Sequence, residues 1–328
     1  MHLSDVVKQF RNKRILVIGD AIIDHYIYGT ASRISPDAPV PLLNIHEEQR
    51  QIGSLGKVTD YILALGGDVE VISCVGKDFE GQFLLNQLKE QNIGLKGLIE
   101  MDILTPRITR IIAQKQQLLR LEKRYQFTRE QKENLIGTIE QFLTERMDRY
   151  DAVVILDYDS DFLNSILISH ILAIASEKKK KIIVRPEEQK YLHYRNTFLV
   201  IMNRNIASKA TGIQPLNDTG MRILGTKLLN ELHSESLLIP WIEGETYLFN
   251  ADNVYIHPSL LKFPARMTGN IGSMVIAAAA MGSACDIPIT DVIKIAHYAG
   301  SLAAQQEINK EFVAALQSVI EHGSLPTH

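Results

Sequence analysis

Cysteine is nearly absent from this sequence: Cys74 and Cys285 are the only two in 328 residues. They lie far apart, each inside an apolar run, so neither a disulfide framework nor a cysteine metal site can be built from them. No run reaches the roughly 18 apolar residues that a bilayer-spanning helix needs. The most apolar stretch, Met274 to Ala284, is too short and too rich in alanine. Behind MHLSDVVKQFRNKR comes only a short apolar run, Ile15 to Gly19, with no cleavage site, so no secretory signal is read. Charge of one sign is also lacking, since 35 Lys and Arg against 38 Asp and Glu leave a formal −3. That balance supplies no field to attract nucleic acid or an anionic membrane, and a cytoplasmic protein is expected.

What is present is globular. Apolar residues make up 45% and charged residues 22%, which excludes a disordered or collagen-like chain. The length suits a single α/β domain over 1–328 with a small appendage. Short β-branched runs recur at Ile15–Ile18, Val69–Cys74, Ala152–Leu156, Lys181–Val184, Phe198–Met202 and Ser236–Ile239. Between them, a period near 3.6 predicts helices over Gln82–Gln91, Thr128–Met147, Asp161–Glu177 and Thr219–His233. Thr128 with Gln131 matches a capping box. Alternation of this kind predicts a mostly parallel central sheet covered by helices on both faces. The lysine run Lys178–Lys181 reads as the solvated end of a helix.

Two stretches break the rhythm. Residues 22–48 hold Pro36, Pro39 and Pro41 between β-type runs, and residues 105–122 alternate polar and apolar around Gln114–Gln116. Both read as antiparallel hairpins forming a small β-sheet, used as a lid or as a dimer surface; two long surface loops are the plainer alternative. Near the C-terminus, Thr268-Gly269-Asn270-Ile271-Gly272-Ser273 precedes an alanine-rich helix. Such a glycine turn can present amides to a phosphate, or can simply allow close packing. No dinucleotide fingerprint follows the first strand, which argues against an oxidoreductase.

The opening ILVIGDAIIDHYIYG with ASRISPDAPVPLL, and QKQQLLRLE at Gln114–Glu122, resemble the PfkB-type (ribokinase-like) carbohydrate kinases. Within them the chain looks most similar to the D-glycero-β-D-manno-heptose 7-phosphate kinases of ADP-heptose and lipopolysaccharide biosynthesis. The resemblance implies a ribokinase fold with a β-sheet lid that often clasps a dimer. It also implies a phosphosugar between lid and sheet, with ATP and Mg²⁺ as phosphoryl donor. Asp24 would then accept hydrogen bonds from sugar hydroxyls, and Arg33 would fork onto a substrate phosphate.

Departures from the family pattern carry as much weight. The GGAAN sugar segment corresponds to Ile52-Gly53-Ser54-Leu55-Gly56, so Gly53 is kept and the asparagine is lost. The NxxE motif falls on Asn203-Arg204-Asn205-Ile206, which replaces the carboxylate. Arg185 stands where the family has an aspartate before proline. In the anion-holding turn Gly269, Asn270, Gly272 and Ser273, the position of the catalytic aspartate reads Ser273. Serine is a very poor base near neutral pH, and losing a general base costs on the order of 10²- to 10⁴-fold in rate. A relocated base at Asp157, within the acidic run Asp157, Asp159 and Asp161, is one alternative. That run can equally bind Mg²⁺ or cap the following helix. Three functions stay open: an impaired, pseudokinase-like sugar kinase, an active kinase with a relocated base, and a structural partner of an active paralogue, pairing through the lid.

Overall fold

The computed structural model describes residues 2–240, 244–260, 268–309 and 311–325, with backbone alone at 268–270. In chain order come α1 (Leu3–Gln9), β1 (Arg14–Gly19), β2 (Ile23–Ile34), β3 (Pro41–Ile52), α2 (Ser54–Ala64) and β4 (Asp68–Gly76). Next are α3 (Phe79–Glu90), β5 (Gly94–Met101), β6 (Arg107–Ala113), β7 (Gln116–Lys123), α4 (Arg129–Arg146), β8 (Ala152–Leu156) and α5 (Ser165–Glu177). They are followed by β9 (Lys181–Arg185), β10 (Leu199–Ile201), α6 (Arg204–Thr211), α7 (Asp218–Leu232), β11 (Ser236–Ile239), β12 (Thr246–Asn250) and β13 (Val254–His257). The last helices are α8 (Thr268–Ser283), α9 (Ile289–Ala303) and α10 (Phe312–His322).

The main sheet runs β13-β12-β11-β10-β9-β8-β1-β4-β5. Strands from β11 to β5 pair in parallel, while β12 and β13 are antiparallel additions at one edge. Ile15 to Ile18 of β1 are all fully buried, as a strand covered on both faces requires. Alternation then divides them between two cores. Ile15 and Val17 join residues of α2, α8 and α9, whereas Leu16 and Ile18 join residues of α4, α5 and α7. Helix α8 is apolar almost all round and is buried from Met274 to Met281, the environment such a helix needs. The capping box of α4 forms as expected, with Gln131 N–H donating to Thr128 Oγ1 and Thr128 N–H donating to Gln131 Oε1.

The two irregular stretches form a separate four-stranded sheet, ordered β3-β2-β6-β7. Each hairpin is antiparallel, and the two join through parallel pairing of β2 with β6. Side chains alternate along paired strands, so the sheet has two distinct faces. Asp24, Tyr26, Ile108, Arg110, Arg120 and Glu122 share one. Ile27, Ile45, Ile111, Leu119 and Leu121 share the other.

Several sequence-based boundaries change. Helix α5 begins at Ser165, and its cap is Asn164, whose Oδ1 accepts the Ile166 and Leu167 amides. The acidic run is therefore not its cap. The lysine run does lie between the end of α5 and the start of β9, and it also makes ties, with Lys178 on Asp148, Lys180 on the Tyr150 carbonyl and Lys181 on Asp286. Both cysteines are free, Cys74 buried and Cys285 partly so. Among the described residues, no helix is long and apolar enough to cross a membrane.

Candidate functional site

At the base of β2, Asp24 is largely buried and its Oδ1 receives Arg110 Nη1 at 2.5 Å. The same guanidinium lies 5.2 Å over the Tyr26 ring. Gly53 precedes α2, and its N–H donates to the Ile22 carbonyl at 2.7 Å. A Cβ there would meet that carbonyl oxygen at 2.9 Å and Asp24 Oδ2 at 3.6 Å. A side chain at 53 would thus crowd the Ile22 backbone while only touching the carboxylate, and the backbone clash favours glycine here.

The polar face of the small sheet looks onto the C-terminal ends of β1 and β8, across a cleft of about 90 Å³. Arg120, Glu122 and Arg124 line one side, and Tyr158, Asp159 and Ser160 the other. Arg120 and Arg124 both pair with Glu122, each with Nη2 2.6 Å from a carboxylate oxygen. The Arg124 hydrogen bond, with both positive charges, holds the Glu122 carboxyl below its usual range. Arg110 and Arg120 stand directly opposite each other on β6 and β7, and Asp24 and Glu122 relieve that like-charge pair. A larger groove, about 830 Å³, opens near Lys179, His193 and Arg195 at the N-terminal ends of β9 and β10. Ligands in open α/β sheets sit at the opposite, carboxyl end, so the smaller cleft is the site candidate.

Asp157 does not reach this cleft. It is fully buried, with Oδ2 accepting the Tyr194 hydroxyl at 2.7 Å and Oδ1 accepting the Asp159 amide at 2.8 Å. Burial pushes its carboxyl up. A relocated base there would have no route to a substrate. Asp161 is engaged by Lys132 at 2.7 Å, and only Asp159 of the acidic run lines the cleft.

Arg33 is also displaced from the expected site. It is exposed at the far end of the β2–β3 hairpin, paired with Leu42, while Asp24 lies at the near end. Nine residues of extended strand separate them by roughly 30 Å. The arginine that meets Asp24 is Arg110, which the sequence motifs did not single out. Asn203 is exposed and caps α6 by accepting the Ile206 amide at 2.8 Å, and Ile206 is buried. Arg185 braces the cleft wall, donating to the Asp157 carbonyl at 2.7 Å and lying 4.2 Å over the Tyr158 ring.

Gly269, Asn270, Gly272 and Ser273 are helical within α8, not a turn ahead of it. Ser273 lies beyond the first turn of the helix, so its amide belongs to the helical ladder and not to the free N–H groups of a terminus. Gly272 is exposed with open space where a Cβ would project, and Ser273 is buried. Among the described residues, no three His, Cys, Asp or Glu side chains are grouped to hold a metal ion. The buried Ile206 side chain supplies no oxygen ligand for Mg²⁺.

An open sheet with a second small sheet across its carboxyl edge is the ribokinase fold. Phosphofructokinase-2 from Escherichia coli, in complex with fructose-6-phosphate, matches with a TM-score of 0.74 at 14% identity, covering 94% of this chain and 99% of that one. Arabidopsis thaliana ribokinase, complexed with ribose and ATP, matches with a TM-score of 0.73 at 12% identity, covering 93% and 98%. The chain belongs to the pfkB family of carbohydrate kinases, whose profile matches residues 12–311. The bifunctional protein HldE of Geobacter metallireducens is 32% identical over 297 residues, 89% of this chain and 60% of that protein. HldE of Campylobacter curvus is 33% identical over 290 residues, 88% and 60%. The chain thus spans about 60% of the length of these curated relatives.

Proposed function

We propose that this pfkB-family chain binds a heptose-phosphate-type sugar beneath the small sheet, with ATP·Mg²⁺ as the partner nucleotide, and that its phosphoryl transfer is severely impaired. The observation that carries this reading is the lack of a carboxylate where the transfer needs one. No Asp or Glu occurs anywhere from Asn253 to Cys285, a stretch that includes all of α8. Position 206 is a buried isoleucine, and the substitute at Asp157 is sealed under Tyr194. In-line transfer to a sugar hydroxyl requires a base to take its proton, and Ser273 is not one. The sugar side keeps Asp24 and Gly53 in contact range, which favours retained binding over full loss of the site.

Pairing through the small sheet belongs to the same proposal, as a homodimer or with a related chain. Ile45, Leu119 and Leu121 on its apolar face are each about half exposed, an arrangement that invites cover. A cytoplasmic location, where ATP is at hand, belongs to the same proposal. Titration calorimetry with D-glycero-β-D-manno-heptose 7-phosphate tests the reading. Binding that Asp24→Asn weakens by about tenfold or more supports it, since hydrogen bonds to a charged group are worth roughly 1.5–3 kcal/mol. Absence of binding in the natural chain overturns it.

A further inference from the structure

The groove of about 830 Å³ at the amino ends of β9 and β10 lies at the opposite edge of the sheet from the sugar cleft. Its positive charge comes from two segments. Lys179 stands between α5 and β9, while His193 and Arg195 come from the short turn Tyr191–Tyr194 and the residue after it. All three are exposed, and among the described residues none of them is in an ion pair. The neighbouring lysines are already engaged: Lys180 Nζ donates to the Tyr150 carbonyl at 2.7 Å, and Lys181 Nζ lies 2.6 Å from Asp286 Oδ1. Arg195 Nε donates to the Glu231 carbonyl at 2.9 Å, which holds the guanidinium at the groove and leaves its two Nη groups as donors.

We propose that this groove is a second ligand site, for a small molecule that carries a phosphate group on an apolar body. Lys179 supplies a point charge and Arg195 a planar fork of donors, and both suit phosphate oxygens. A ring N–H of His193 adds a third donor. A phosphate seated between the two segments matches positive charge that the protein itself leaves unpaired. The site stands apart from the sugar cleft and does not rest on the function proposed above.

Two features set the class of ligand. Leu172 of α5, Leu192 and Phe198 line the same groove, and Leu192 is 42% exposed, so apolar surface waits beside the cations for a ligand to cover. The positive surface is also short. Glu235 lines the groove, and Glu231, whose carbonyl holds Arg195, accepts the Tyr191 hydroxyl on Oε2 at 2.6 Å. These carboxylates interrupt the continuous basic track that a nucleic-acid backbone requires. A compact anion requires no track.

Amide NMR titrations of the full chain with phenyl phosphate and with inorganic phosphate test the site, in about 0.15 M NaCl so that diffuse attraction is screened. Saturable shifts are expected at residues 176–181 and 192–198. Phenyl phosphate should bind about threefold or more tighter than inorganic phosphate, because its ring covers apolar surface. Lys179→Gly should weaken phenyl phosphate about fivefold or more, and Arg195→Gln likewise. Glycine suits the left-handed φ of 52° at position 179, so the first variant does not put the fold at risk. Lys89→Gln, an exposed position on α3, should leave the affinity unchanged. Shifts absent from the groove, equal affinity for the two probes, or affinity unmoved by Lys179→Gly and Arg195→Gln overturns the proposal. So does an equal loss in Lys89→Gln, which marks the binding as diffuse charge attraction.

Discussion

Arg110 reaches diagonally across the parallel pairing of β2 and β6 to Asp24, with its Nη1 2.5 Å from Oδ1. One ion pair between residues 86 apart in the chain thereby locks two hairpins together. Asp24 keeps only 11% of its side chain exposed, and Arg110 keeps 22%.

Arg110→Ala leaves that carboxylate nearly buried without a cation. The expected loss is about 1–3 kcal/mol, read from the urea denaturation midpoint. Arg110→Lys should recover only part, because lysine lacks the planar fork and the stacking surface over Tyr26.

Gly53→Ala places a methyl 2.9 Å from the Ile22 carbonyl oxygen, a backbone atom that cannot swing aside. The entry to α2 must shift, beside the Asp24 carboxylate. A loss of about 1–3 kcal/mol is expected by thermal denaturation, together with weaker phosphosugar binding by calorimetry.

His297 gives the fold a pH dependence of its own. Its Nε2 lies 3.0 Å from the Pro258 carbonyl, which can only accept, so the neutral ring carries its proton there. Its Nδ1 then accepts from the Thr246 hydroxyl at 3.2 Å. Burial, helped by the neighbouring His257, pushes the ring down to about 4 from an ordinary 6.5. Between those values the unfolded chain binds a proton that the native state refuses, so stability falls as pH drops through the window. His297→Gln should flatten the slope, by roughly 2–4 kcal/mol in urea midpoints compared at about pH 7 and about pH 4.

Leu119→Glu with Leu121→Glu puts charge on the apolar face of the small sheet while sparing Asp24 and Arg110 on the other. A chain that pairs through this face should run as a monomer after the change, by size-exclusion chromatography with light scattering. Heptose 7-phosphate affinity should change by less than about threefold, because substitutions remote from a site usually act independently of it.

The central strands were legible because burial on both faces leaves uninterrupted β-branched runs such as Ile15–Ile18. Strand β5 carries Gly94 and Gly97 and does not stand out from the sequence, and the antiparallel edge strands β12 and β13 were not singled out either. Asp24 was picked out through the opening motif and Gly53 through the sugar-segment correspondence, and the structure sets the two close together. Arg110 was not, since its role depends on parallel pairing between distant hairpins, which alternation within either hairpin does not reveal. Asp20 was not singled out from the sequence; its contacts come from the loop after β8, through the Tyr158 amide and the Ser160 hydroxyl. Ser273 was read at a helix start because glycines precede it, but both glycines are helical within α8.

Phosphoryl transfer itself is the most direct test. A coupled ADP-release assay with ATP·Mg²⁺ and heptose 7-phosphate should compare the natural chain with Ser273→Asp. The natural chain is expected to turn over at background, or about 10²- to 10⁴-fold below a kinase with an intact base. Ser273→Asp should regain only part of that, because position 206 still lacks its carboxylate. Robust turnover by the natural chain, unchanged in Ser273→Ala, would contradict the impaired-kinase reading.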